Sequence, residues 1–168
     1  MAVTRMNHAV LYVRDADASA AFYRDVLDFD LVHHFPGGAF LRAPASENDH
    51  DIAFFSIGAG AGPSEAGRRT VGLYHVAWEV ETLADLADLA GRLSEVGALV
   101  GASDHGVSKS LYARDPDGLE FEVCWVVPLD RYDPDPDAAM TEPLDLAAAI
   151  DCYGADTPSR SVTSPSAA

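Results

Sequence analysis

Two short stretches decide the fold: NHAVLYV at residues 7–13 and YHVAWEV at residues 74–80. Each reads as a strand, carries a histidine in its second position and is followed by a helical pattern. The offset of 67 residues that superposes His8 on His75 also superposes both strands and both helices. The sequence therefore predicts an internal duplication at low identity.

The elements that follow these stretches give both halves the same order. In the first half, Asp15 and Asp17 are N-cap candidates for a helix through residues 18–27. In the second half, Thr82 is the N-cap candidate, and Asp85 completes a weak capping box. Strands are predicted at 6–13, 31–35, 39–43 and 51–57 in the first half, and at 73–80, 98–101, 110–114 and 119–127 in the second. Each half is therefore a β-α-β-β-β module.

The chain divides into one domain and a tail. Residues 1–128 hold the two modules, at about 5–57 and 71–127, joined by a glycine-containing linker at 58–70. The linker lacks the motif spacing of a phosphate-binding loop and reads as a flexible connection. Residues 129–168 form an acidic, proline-containing tail. We expect this tail to be partly disordered, with one short helix at 144–150 and a disordered end at 159–168.

Charge and composition exclude several classes of function. The chain has 27 acidic against 11 basic residues, a net charge of −16, and nucleic acid binding requires the opposite balance. No apolar run approaches the roughly 18 residues that span a bilayer, so no membrane partner is expected. Only two cysteines are present, Cys124 and Cys152, and no charged-then-apolar leader precedes them. We therefore expect a reducing, cytoplasmic location.

Three side chains on predicted strands suit a metal site. His8 and His75 occupy matching positions of the two modules, and the strand LEFEV at 119–123 adds a carboxylate. Two imidazoles and one carboxylate leave open coordination positions for a substrate. Glu120 and Glu122 lie on the same side of a strand, so periodicity alone does not choose between them.

The motifs together resemble the vicinal oxygen chelate superfamily, which includes glyoxalases, bleomycin and fosfomycin resistance proteins, and extradiol dioxygenases. The resemblance covers about residues 5–127. It rests on NHxxLxV at 7–13, FYRDVLxF at 22–29, YHVA at 74–77 and DPDGxxxE at 115–122. It implies an α+β fold in which two βαβββ modules form a cupped, mixed sheet around a metal cleft. In the last motif the ligand is the final residue, which selects Glu122 beside His8 and His75.

Within that superfamily the chain is most similar to single-unit extradiol dioxygenases of the catechol type. DHDIAF at 49–54 resembles the strand that carries their acid–base histidine, although their usual double histidine is Asp-His here. DHGVSKSLY at 104–112 resembles their HGVSxSxY segment. The resemblance implies that His50 is the acid–base group, that Tyr112 donates a hydrogen bond to the bound oxygen or to a peroxo intermediate, and that His105 orients the substrate or covers the site.

The metal expected from this resemblance is non-heme Fe(II). Glyoxalase-type sites use a fourth ligand, a carboxylate on the last strand of the first module, and residues 52–57 contain none. Three ligands leave room for a bidentate diol and O₂ together, although Zn²⁺ also uses such ligands. The expected function is cleavage of a catechol-like vicinal diol, a small aromatic substrate, with O₂.

The sequence leaves two other functions open. One is a glyoxalase-like or epimerase-like isomerase, or a thiol transferase of the fosfomycin type, using Mn²⁺, Zn²⁺, Ni²⁺ or Co²⁺. The other is a protein that binds a drug or metabolite without turnover; the intact His8, His75 and Glu122 argue against it. Relatives of this size commonly pair, so a homodimer is expected, with exchange of modules between chains left open.

Overall fold

The computed structural model describes residues 2–66, 69–133 and 141–160, which form two compact units. Unit 1 comprises Met1–Glu65 together with the turn Asp115–Gly118, and unit 2 comprises Ala66–Arg114 and Leu119–Ala168. Each unit carries one mixed sheet and a long helix. The predicted α+β class is confirmed, as is the β-α-β-β-β order of both modules.

The sheet of unit 1 has four strands in the order β1-β4-β3-β2. The first and last strands of the module are parallel neighbours, whereas the other pairs are antiparallel. Such an arrangement places the start of β1 beside the start of β4. The elements are β1 (Ala9–Val13), α1 (Ala16–Leu27), β2 (Asp30–Phe35), β3 (Gly38–Arg42) and β4 (Ile52–Ser56).

Helix α1 begins and ends on aspartates. The Asp15 side chain accepts hydrogen bonds from the backbone of Asp17 and Ala18, so Asp15 is the N-cap. Asp28 ends the helix in the left-handed conformation, with φ of 60°. The buried Tyr23 ring lies 5.0 Å from that of Phe54, which joins the helix to the sheet.

The sheet of unit 2 has five strands in the order β5-β8-β7-β6-β9. Strands β5 and β8 are parallel, and all the other neighbours are antiparallel. Unit 2 therefore repeats the arrangement of unit 1 and adds an edge strand. Its elements are β5 (His75–Glu79), α2 (Leu83–Glu95), β6 (Leu99–Asp104), β7 (Ser108–Arg114), β8 (Glu120–Val126), β9 (Glu142–Pro143) and α3 (Leu146–Tyr153).

The predicted capping box of α2 is confirmed. The Thr82 hydroxyl accepts from the backbone of Asp85, and the Asp85 carboxylate accepts from the backbone of Thr82. The helix buries Leu83, Leu86 and Leu93 completely. This leucine stripe packs on the side of the sheet that also buries Phe121, Val123 and Trp125.

Several sequence-based boundaries differ from the structure. Strand β1 begins at Ala9, three residues later than predicted, because its partner strand β4 begins only at Ile52. His8 therefore precedes the strand. Strand β6 extends to Asp104 because β7 pairs with it that far. The predicted helix of the tail lies at Leu146–Tyr153 and contacts α2, and β9 was not predicted at all.

The tail is more ordered than its composition suggests. Ser159 is fully buried, and its hydroxyl donates to the Glu79 carboxylate, whereas the sequence places Ser159 in a disordered end. The rest of that predicted end, residues 161–168, lies outside the described residues. Among the residues that the structure describes, no helix is long and apolar enough to cross a membrane.

Candidate metal and active site

The structure brings together His75 and Glu122 on neighbouring parallel strands. The backbone of Glu122 lies opposite Ala77, two residues beyond His75, so both side chains point to the same side of the sheet. His75 Nε2 is 3.1 Å from a Glu122 carboxylate oxygen. The Nδ1 atom of His75 is buried and has no hydrogen-bond partner among the described residues. The His75 nitrogen and the Glu122 oxygen therefore lie side by side, in an arrangement that suits two ligands of one cation.

The same strand distinguishes Glu122 from Glu120. Glu120 also lies on this side of the sheet, opposite His75 in the register. Its carboxylate, however, lies 3.8 Å from the Arg114 guanidinium. Glu122 is thus the glutamate whose carboxylate lies beside a ring nitrogen of His75, and its role as the metal ligand stays a prediction.

In unit 1, His8 and His50 form a second pair. Their ring centroids are 4.5 Å apart, and the rings are tilted by 41°. The Asn7 side-chain oxygen lies 2.7 Å from His8 Nδ1. Because an amide oxygen accepts, this contact favours a proton on Nδ1 and leaves the Nε2 lone pair available for a metal ion.

The donor set fits a divalent transition metal, and two of its members lie in one unit. Imidazole nitrogens and a carboxylate oxygen suit Fe(II) or Zn²⁺. No group of three or more His, Cys, Asp or Glu side chains among the described residues is arranged to hold a metal ion. The joint ligation by His8, His75 and Glu122 stays a prediction.

The strand register shows which residue of the first module occupies the position equivalent to Glu122, where a fourth metal ligand would lie. In unit 2, Glu122 lies opposite Ala77 of β5. The duplication matches Ala77 with Val10 of β1, and Val10 lies opposite Ala53 of β4. Ala53 is fully buried and offers no ligand atom. The first module therefore contributes no carboxylate at the position equivalent to Glu122.

Aromatic side chains surround His50 on the sheet of unit 1. The Phe40 ring is 4.9 Å from the His50 ring, edge to face. Phe35 and Phe55 lie about 6 Å from Phe40, and His33 lies 5.8 Å from it. Sequence reasoning missed this cluster, because its members come from three strands whose register the sequence does not fix. The alternation of side chains in GAFLR at 38–42 was the sequence signal that could have predicted the cluster.

The two predicted catalytic residues of unit 2 contact each other. His105, in the turn between β6 and β7, has its Nε2 atom 2.8 Å from the Tyr112 hydroxyl. The Tyr112 ring centroid is 5.8 Å from that of His75. Burial, and next the Glu122 carboxylate, raise the pKa of Tyr112. The phenol therefore keeps its proton at neutral pH, as a hydrogen-bond donor must.

Cys124 lies two residues after Glu122 on the same side of β8. Burial, and next the carboxylates of Glu122 and Glu79, raise the pKa of its thiol to about 12. A thiol that stays protonated at neutral pH is a poor nucleophile. Cys124 is therefore unsuited to nucleophilic catalysis.

Comparison with known proteins assigns the chain to a family. The Glyoxalase/Bleomycin resistance protein/Dioxygenase superfamily model matches residues 5–123. The chain belongs to this superfamily, and the predicted resemblance is confirmed. The superfamily consists mostly of metal-dependent enzymes.

Individual relatives differ in activity. The chain is 38% identical over 125 residues to biphenyl-2,3-diol 1,2-dioxygenase 3 of Rhodococcus globerulus, covering 73% of this chain but 64% of that protein, under two thirds of its length. It is 26% identical over 125 residues to a probable lactoylglutathione lyase of Synechocystis sp., covering 69% of this chain and 91% of that protein. A glyoxylase/bleomycin resistance protein/dioxygenase domain from Frankia sp. EAN1pec has the same fold, with a TM-score of 0.62 at 24% identity over 78% of this chain and 98% of that one.

Proposed function

We propose that the protein is an Fe(II)-dependent extradiol-type dioxygenase that cleaves a catechol-like vicinal diol with O₂. Its metal ligands are His8, His75 and Glu122. The observation that carries the proposal is the His75–Glu122 pair, with a nitrogen and an oxygen 3.1 Å apart on one side of a sheet. The 38% identity to a protein named as a biphenyl-2,3-diol dioxygenase supports the choice of reaction.

Bound Fe(II) supplies a Lewis acid and an electron path that side chains lack. The protein's own residues bind and orient the diol. His50 accepts a proton from a diol hydroxyl, a role for which the imidazole side chain is suited. Its Nδ1 lies 2.9 Å from the Asp49 carboxylate, so the proton on Nδ1 leaves the Nε2 lone pair as the base.

The aromatic cluster beside His50 provides the surface for the substrate ring. Phe35, Phe40 and Phe55 offer ring edges and faces on the side of the sheet that carries His50. Aromatic rings favour edge-to-face or offset contacts with such side chains, worth about 1 kcal/mol per pair beyond burial. Tyr112 donates its hydrogen bond to a substrate oxygen. The cluster favours an aromatic diol over an aliphatic one.

An isomerase of the glyoxalase type is the second candidate. It is supported by the similarity to the probable lactoylglutathione lyase, which the alignment covers over 91% of its length. The alanine at position 53, where the equivalent of Glu122 would provide a fourth ligand, favours the dioxygenase. An isomerase would turn over without consuming O₂.

An oxygen electrode separates the two candidates. The full chain, reconstituted anaerobically with Fe(II), is mixed with catechol, with 2,3-dihydroxybiphenyl and, separately, with the hemithioacetal of methylglyoxal and glutathione. We expect O₂ uptake equal to the diol consumed and a yellow ring-fission product. The matched control is Glu122→Gln loaded in the same way. Turnover of the hemithioacetal without O₂ uptake, or no uptake with any diol, would overturn the proposal.

A further inference from the structure

The turn that carries His105 is fixed from within unit 2. The His105 backbone N–H donates to the Ser108 carbonyl at 2.9 Å, and the Gly106 N–H donates to the Asp104 side chain at 2.8 Å. The Lys109 ammonium, almost fully buried, pairs with the same Asp104 carboxylate. A partly buried ion pair of this kind holds two ends of a turn at one geometry. His105 is therefore presented by a rigid turn.

The C-terminal segment, residues 141–160, contacts the same turn. Strand β9 pairs Glu142 with Asp104, the residue that precedes His105. The Tyr153 ring of α3 lies 5.5 Å from the Lys109 ammonium, within the range of a cation–π interaction. Trp125 Nε1 donates to the Thr157 carbonyl at 2.9 Å, which anchors the end of the segment. The residues of the C-terminal segment that make these contacts lie outside residues 5–123, the part of the chain that the family model covers.

The segment also places a hydroxyl on the His105 ring. Thr141 Oγ1 is 3.3 Å from His105 Nδ1, while the Tyr112 hydroxyl is 2.8 Å from Nε2. A neutral imidazole has one nitrogen that donates and one that accepts. Two arrangements are therefore open: Nε2 donates to Tyr112 and Nδ1 accepts from Thr141, or both senses are reversed.

The two arrangements have opposite consequences for Tyr112. If Nε2 accepts, Tyr112 donates its phenol proton to His105 and cannot donate it to a substrate. If Nε2 donates, the phenol oxygen accepts and the phenol proton remains available for a substrate oxygen. A hydroxyl that donates to Nδ1 selects the arrangement in which Nε2 donates to Tyr112.

We propose that Thr141 is a positioning residue that, by donating to His105 Nδ1, keeps the proton on Nε2 and so leaves the Tyr112 hydroxyl free to donate to the bound substrate. The choice of tautomer and its catalytic consequence rest on the proposed function, because the two distances alone fit both arrangements. The C-terminal segment thus supports the active site through His105. Its order follows from the pairing of β9 and the docking of α3.

The tautomer is measured directly by NMR. Long-range proton–nitrogen correlations of the imidazole ring are recorded at pH 8.5, where an ordinary imidazole is neutral, on the full chain with and without Zn²⁺, which is diamagnetic. The His105 signals are assigned by their loss in His105→Gln. We expect protonated Nε2 in the wild type and in Thr141→Ser, and in Thr141→Val a shift of the tautomer ratio toward protonated Nδ1 by about threefold or more.

A wild-type protein with protonated Nδ1, or a Thr141→Val ratio that changes less than threefold, would overturn the proposal. Thermal unfolding of both variants controls for loss of structure, and the hydroxyl-bearing serine is the matched variant. In turnover with a diol, Thr141→Val is expected to lower kcat several-fold with KM within twofold, and Thr141→Ser to restore it. Absence of O₂ uptake by the wild type would count against the proposed function and leave the tautomer result standing.

Discussion

His75 Nε2 lies 3.1 Å from the Glu122 carboxylate, across two parallel strands and on one side of the sheet. The offset of two residues in the register gives the longer glutamate side chain room to reach back to the start of β5. Without a cation the contact is a hydrogen bond or an ion pair. In the proposed metal site the same two atoms would be adjacent ligands of the cation.

Replacing Glu122 with Gln is expected to weaken metal binding by at least about 100-fold, because a neutral amide loses the charge of the carboxylate. Isothermal titration with Fe(II) under anaerobic conditions, or with Zn²⁺, measures the change. Glu120→Gln is the matched control, two residues away on the same side of the strand and next to Arg114 instead. Equal loss of affinity in both variants would contradict the assignment of the ligand to position 122.

His50→Ala is expected to retain the metal and lose turnover, by about 10²–10⁴-fold in kcat, the usual worth of a positioned acid–base group. The metal content after desalting and the rate of O₂ uptake are compared. His34→Ala is the control, since His34 is exposed and lies 2.7 Å from the Asp17 carboxylate on the surface. Loss of metal in His50→Ala would make His50 a ligand instead of a base.

Thr82→Ala is expected to lower the free energy of unfolding by about 1 kcal/mol, the typical loss of an N-cap side chain. The variant leaves the Asp85 backbone N–H and one side of the capping box without its partner hydroxyl. Urea unfolding at a constant m-value measures the change. Thr82→Ser keeps the hydroxyl and is expected to unfold within a few tenths of a kcal/mol of the wild type; a full loss in both variants would show that packing of the methyl group, and not capping, stabilises α2.

The sequence predicts the repeated part of the fold because local signals repeat. The helix caps at Asp15 and Thr82 and the position of both histidine-bearing stretches follow from residue type and spacing alone. Strand β9 has two residues, including a proline, and forms only because the edge of β6 is unpaired there. Such tertiary pairing leaves no periodic pattern in the chain.

The candidate site likewise has a part that the sequence predicts and a part that depends on tertiary pairing. His75 and Glu122 are predictable because one carries a strand signal and the other closes a turn motif, and the register then brings them together. The contact of Thr141 with His105 spans 36 residues and joins a tail to a turn. The aromatic neighbours of His50 come from three strands. Neither the Thr141–His105 contact nor this aromatic cluster can be predicted before the strand register is known.

The two cysteines are expected to react very differently with thiol reagents. Burial first, and then nearby carboxylates, raise the pKa of Cys124 to about 12, so at pH 8 only about one molecule in 10⁴ carries its thiolate. Cys152 is exposed on α3. In the presence of a chelator, iodoacetamide at pH 8 is therefore expected to modify Cys152 alone, as intact-protein mass spectrometry reports.

In Cys152→Ser the remaining reaction measures Cys124. Because the raised pKa lies above the whole working range, its thiolate fraction and hence its labelling rate grow about tenfold per pH unit between pH 8 and 10. An ordinary thiol, with a pKa near 8.5, levels off over the same range. A Cys124 rate that levels off below pH 10 would mean that its thiolate is solvated, and the half-buried environment beside Glu122 would then be wrong.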